Sequence, residues 1–136
     1  MTSKRLLKHL VFLMFFIFVL YLVGISLYLD YTTWWFDMVL HFLGGFWVGC
    51  FFIYLFARRV SLLNPSSRVI VNVILCVLFI ALSWEAFEFY VNNMIGRFPF
   101  SVSDTTSDVF LGLAGGVCSM LYFFKGRKPE DKQVTN

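Results

Sequence analysis

Charged residues are scarce in this chain. Only 14% of its 136 residues are Asp, Glu, Lys or Arg, and between Leu10 and Leu29 there is none. A soluble domain carries roughly 25%, so the sequence lacks the polar surface that water requires. Proline is also rare, with three residues, which leaves long stretches free to form helix. There are three cysteines, Cys50, Cys76 and Cys118, all inside apolar runs. No disulfide framework is expected from them, and each reads as a small apolar residue. Glycine-rich phosphate loops, G-x-S-x-G elbows, H-E-x-x-H pairs and C-x-x-C pairs are all missing from the sequence.

What remains is hydrophobic, at 60% of the chain. Four apolar runs are long enough to cross a bilayer, which takes about 20 helical residues. They are continuous rather than alternating, which favours helices over strands. Helices also satisfy their own backbone in lipid. The expected fold class is all-α: an integral membrane four-helix bundle over residues 1–124. Its helices fall at about 8–29, 36–57, 69–91 and 104–124, and a polar tail at 125–136 is expected to be disordered. The first run follows Lys4, Arg5 and Lys8 as a signal peptide would. It is too long for an h-region and no small-x-small site follows, so a retained helix is expected.

The net charge of +3 is explained by topology rather than by nucleic acid, which is not an expected partner. Ten of the eleven basic residues fall on one side of a four-span arrangement, and Arg97 alone falls on the other. The positive-inside rule then puts both termini in the cytoplasm of a multi-pass plasma (inner) membrane protein. Tyr28, Tyr31, Trp34, Trp35 and Tyr90 form an aromatic belt at the opposite surface.

The acidic residues are the most informative. Six of eight map to the outer half: Asp30, Asp37, Glu85, Glu88, Asp104 and Asp108. Asp30 is read as a surface group. The other five lie within expected helices, with His41. Asp37/His41 and Asp104/Asp108 are i,i+4 pairs and Glu85/Glu88 is i,i+3, so each pair projects from one side of its helix. At 1.5 Å per residue, His41 and Asp108 lie about 6 Å deeper than their partners. The three pairs therefore share one layer. An acidic group at mid-bilayer costs roughly 2.5–3.5 kcal/mol, so such groups face the bundle interior or a wet cavity.

Carboxylates crowded in this way need protons or cations to neutralise them. Carboxylates with one imidazole suit a divalent ion of zinc, magnesium, manganese or iron. The expected metal ligands are Asp37, His41, Glu85, Glu88, Asp104 and Asp108. Asp37, His41, Glu85 and Asp108 are the catalytic candidates, and Arg97 is the substrate-binding candidate. Competing structural roles exist: Ser103 or Asp104 as an N-cap, Asp37 as a favoured charge at a helix start, and Arg97 as a snorkelling side chain.

A second pattern repeats. Asp37, His41, Gly45 and Gly49 follow at steps of four, as do Asp104, Asp108, Gly112 and Gly116. Each stripe ends in a G-x-x-x-G pair, which permits close helix approach in membranes. The second and fourth spans are expected to pack through them. The same stripes could hold a homo-oligomer or a membrane-protein partner.

The segment Asp37-Met-Val-Leu-His41-Phe resembles the D-x-x-x-H-F motif of the VanZ-like membrane proteins. The likeness continues through Glu85-x-x-Glu88, Ile95-Gly96-Arg97, Ser103-Asp104 and Asp108-x-x-x-Gly112. Glu88 stands where that family has Gln, Ile95 where it has Pro, and Asp108 where it often has Asn. The E-x-x-E and D-T-x-x-D forms are closer to a related group of bacterial inner-membrane proteins. The resemblance implies a helical bundle with a polar layer at its outer face, in a family associated with resistance to glycopeptide antibiotics of the teicoplanin type.

The leading expectation is a metal-dependent membrane enzyme acting on a lipid or lipid-linked cell-envelope substrate near the outer leaflet. Its alternatives are a cation- or proton-coupled binding or transport protein and a non-catalytic VanZ-like membrane subunit.

Overall fold

With neither charge nor proline to interrupt it, the first apolar run forms α1, Ser3–Leu27. The structure, a computed structural model, describes residues 3–57, 67–95 and 101–125. The helix stops at Tyr28, whose backbone is left-handed (φ 54°, ψ 37°). That conformation costs a non-glycine residue about 1–2 kcal/mol and cannot continue a right-handed helix. The connection beyond it is a single helical turn, α2, Leu29–Thr32. Thr33 is extended, and its carbonyl accepts a 2.9 Å bond from the Phe36 N–H to open α3, Trp34–Ala57.

α4 covers Ser67–Ile95 and α5 covers Val102–Lys125. α4 runs four residues past the expected end at 91, because nothing before Gly96 breaks a helix. α5 begins two residues before the expected start at 104. Its cap is neither Ser103 nor Asp104. Ser101 precedes the helix, and its Oγ accepts the Asp104 N–H at 3.3 Å. This is the capping geometry in which the residue before N1 satisfies an orphan amide of the first turn. The expected turns at Asn64-Pro65-Ser66 and Gly96 to Pro99, and the tail after Lys125, lie outside the described residues.

Among the described residues, four of the five helices, α1, α3, α4 and α5, are long and apolar enough to cross a membrane. Their outward faces agree. Phe12, Phe15, Phe79 and Phe110 are each about two-thirds exposed. A soluble monomer does not show apolar patches of this extent, whereas a lipid-facing surface consists of them.

α3 is the central helix and touches all the others, while α1 meets only α2 and α3. The α1–α3 contact includes a hydrogen bond from the Trp47 indole N–H to the Leu10 carbonyl, at 2.8 Å. At its glycines the α3–α5 contact is backbone against backbone. A Cβ at Gly45 would collide with the Gly112 carbonyl, and one at Gly49 with the Ser119 hydroxyl and the Gly116 Cα. The expected pairing of the two glycine stripes is therefore present within the chain. One position was missing from that reading. A Cβ at Gly115 would strike the Phe42 carbonyl and the Phe46 amide, whereas one at Gly112 would meet only ordinary contacts, 3.6 Å from Ala81 and 3.8 Å from the His41 carbonyl. Gly115 does not fall on the step-of-four stripe, so the pattern passed over it.

The bundle is apolar at the end where α1 and α4 begin and α3 and α5 finish. Ile53, Val73, Val77, Met120 and Phe123 are buried there, together with Leu6, Leu10, Cys50 and Val69. The three cysteines are free, with Cys50 buried in this core. The described acidic residues and His41 lie at the other end.

Candidate functional site

The first turns of α3 carry Asp37 and His41, one helical turn apart on the same face. The close α3–α5 approach brings the first turns of α5 against them, and with these Asp108. α4 runs the opposite way and delivers Glu85 and Glu88 to the same level near its end.

His41 lies at the centre, with only 8% of its side chain exposed. Its two ring nitrogens face opposite carboxylates. Nε2 is 3.7 Å from Asp37 Oδ2, and Nδ1 is 3.6 Å from Glu85 Oε1. Both separations are too long for a hydrogen bond. Donor atoms of Asp37, His41 and Asp108 lie within 4.8 Å of one another, and so do those of His41, Glu85 and Glu88. His41 therefore belongs to two donor sets.

Burial deepens away from the end. Asp37 is 42% exposed, the Glu85 side chain 11%, and Asp108 only 3%. Glu85 Oε1 and Asp108 Oδ1 are buried and accept no hydrogen bond. Buried polar atoms are nearly always satisfied, and an orphan points to a missing partner such as an ion or water. The described lysines and arginines, Lys4, Arg5, Lys8, Arg68 and Lys125, belong to the opposite ends of their helices.

The spacing suits a cation. Bonds of about 2.0–2.2 Å from zinc to nitrogen and oxygen, arranged tetrahedrally, set neighbouring donors about 3.3–3.5 Å apart. The imidazole–carboxylate separations of 3.6 and 3.7 Å require only a small contraction to reach that value.

Of the expected ligands, the structure brings together Asp37, His41, Glu85, Glu88 and Asp108. Asp104 is exposed, sits in the first turn of α5 beside its cap, and joins neither set. Its i,i+4 relation to Asp108 is real, but Asp104 is exposed where Asp108 is buried. Arg97 and the side chain of Asp30 lie outside the described residues. Serine nucleophiles find no support. Ser83 Oγ donates to the Phe79 carbonyl at 2.7 Å and Ser107 Oγ to the Ser103 carbonyl at 3.0 Å, each within its own helix.

Sequence reasoning also missed Thr105. Thr105 and Glu85 line an open cleft of about 370 Å³ between α4 and α5, together with Ala86 and Phe89. Thr105 is three residues before Asp108 and so shares its face, a signal available in the sequence.

Four apolar helices around a buried carboxylate–imidazole cluster define a polytopic helical membrane protein with a polar centre near one surface. The chain belongs to the family described as predicted membrane protein (DUF2238), which matches residues 3–128. That match supports membership of a membrane-protein family and does not extend to the VanZ-like proteins by name. No curated protein and no solved structure matches the chain.

Proposed function

We propose that this protein is a metal-dependent membrane enzyme acting on a lipid or lipid-linked envelope substrate near the outer leaflet of the plasma (inner) membrane. The carrying observation is the convergence of Asp37, His41, Glu85, Glu88 and Asp108, with two orphaned buried oxygens, beside a cleft. Ionisable groups held inside a span are costly and mark functional centres by default. The VanZ-like resemblance of the Asp37–His41 and Glu85–Asp108 segments adds the expectation of an envelope-related role. The distribution of basic residues supports cytoplasmic termini, with the cluster facing outward.

A divalent ion bound here would supply Lewis acidity and an acidified water. The chain's own groups supply the rest. Asp37, more exposed than Glu85 or Asp108, stands closer to water than either. Glu85 borders the cleft and is placed to take a proton from an attacking nucleophile. Thr105 lines the same cleft beside that carboxylate. Ala86 and Phe89 give the cleft apolar walls suited to the chain of an amphiphile. Arg97 would orient a phosphate. The reaction is hydrolysis or transfer at the headgroup.

The test uses the full chain in detergent or vesicles containing phospholipid and lipid-linked pyrophosphate. Metal content and conversion of lipid are measured together. Bound metal with metal-dependent turnover, both lost in Glu85→Gln and Asp108→Asn, is the expected result. Metal-free protein, or folded variants that turn over as the wild type does, would overturn the reading. Transport is less well supported: the far half of the bundle is an apolar core, with no carboxylate, imidazole, lysine or arginine among its buried described residues.

A further inference from the structure

We infer that the cluster holds two divalent cations rather than one, placed on either side of the His41 ring. The inference rests on the metal-site reading above and specifies its stoichiometry.

The five donors do not form a single shell. They divide into Asp37, His41 and Asp108 on one hand and His41, Glu85 and Glu88 on the other, and only His41 is common to both. Its nitrogens face outward in different directions, Nε2 toward Asp37 and Nδ1 toward Glu85. One metal ion can use only one of these nitrogens. Each set has, independently, a buried oxygen with no hydrogen bond: Asp108 Oδ1 in the first and Glu85 Oε1 in the second. Asp108 is 97% removed from solvent, given its 3% exposure, so bulk water does not satisfy it. A single ion would satisfy one of these orphans and leave the other carboxylate pair to a ring N–H that stands 3.6 or 3.7 Å away, beyond hydrogen-bond distance.

Charge points the same way. When ionised, the four carboxylates carry four negative charges in low-polarity surroundings. One divalent ion leaves half of that charge uncompensated, whereas two ions leave only the single charge of the deprotonated ring that bridges them. Binding through both nitrogens requires the neutral ring to release its remaining N–H proton to solvent as the second ion arrives. Imidazole and carboxylate donors together fit zinc, and each set leaves coordination positions open for water or substrate. The ions would stand further apart than the roughly 3.5–4 Å of two-metal sites bridged by one oxygen, because a ring lies between them.

The competing arrangement has one ion, with the other carboxylate pair holding the ring N–H in place, as outer partners of metal-bound histidines do. Counting separates the two. The full chain, purified in detergent and stripped with chelator, is dialysed against zinc alone, and zinc per chain is measured by atomic emission. Two ions per chain are expected. The Asp37→Asn/Asp108→Asn pair and the Glu85→Gln/Glu88→Gln pair should each retain one, with helical content unchanged by circular dichroism. One ion in the wild type overturns the second site while leaving the metal-dependent reading intact. No ion overturns both. The wild-type count stands on its own if a variant fails to fold.

Discussion

His41 Nδ1 sits 3.6 Å from Glu85 Oε1, linking α3 to α4 at the buried polar layer. The contact joins two residues far apart in sequence whose side chains are both mostly hidden from solvent. It exists because α3 and α4 run in opposite directions, so the start of one meets the end of the other.

Replacing His41 with Ala removes the residue shared by both donor sets. Metal affinity should fall by more than the 10–100-fold typical of losing an outer partner. Calorimetric titration with zinc checks this. An unchanged affinity would show that the carboxylates do not act around the ring.

Asp104→Asn should leave metal binding within error of the wild type, because Asp104 joins neither donor set. Ser101→Ala should instead cost about 0.5–2 kcal/mol through the lost cap on α5. Thermal unfolding in detergent, measured beside zinc titration, distinguishes the two. A marked loss of zinc in Asp104→Asn would return that residue to the ligand set.

Two glycines of α5 should respond in opposite directions. Gly115→Ala places a methyl group against the Phe42 carbonyl and should destabilise by about 1–3 kcal/mol, as overpacking does. Gly112→Ala meets only ordinary contacts and should be neutral or gain up to about 1 kcal/mol from helix propensity. Equal losses at both positions would contradict the observed approach of α3 and α5.

Trp47→Phe keeps an aromatic ring beside α1 and deletes its bond to the Leu10 carbonyl. The expected loss is about 0.5–1.5 kcal/mol, the usual net value of a hydrogen bond. Since α1 touches neither α4 nor α5, zinc binding should not change.

The spans were legible because the apolar runs are long and their ends carry charge or breakers. Gly96 and Pro99, for example, separate the third and fourth. The polar layer was legible from depth alone, since Asp37, His41, Glu85, Glu88 and Asp108 agree in level along their helices. Rotation about the helix axis was harder to read. Asp104 shares the stripe of Asp108, but it is exposed at the first turn of α5. Gly115 escaped because which glycine touches a neighbour depends on the crossing of two helices, not on a repeat within one. The end of α1 depended on Tyr28 taking a left-handed conformation, which nothing in that residue type announces. Thr105 escaped because a hydroxyl next to two acidic residues draws no notice until α4 is seen across from it.

The layer of Ile53, Val73, Val77, Met120 and Phe123 works as a stopper. On the metal-site reading proposed above, ions would reach His41 from the acidic mouth, and its loading would follow the chemistry of a single compartment. A cell could change the metal supply on the stoppered side without the protein registering it.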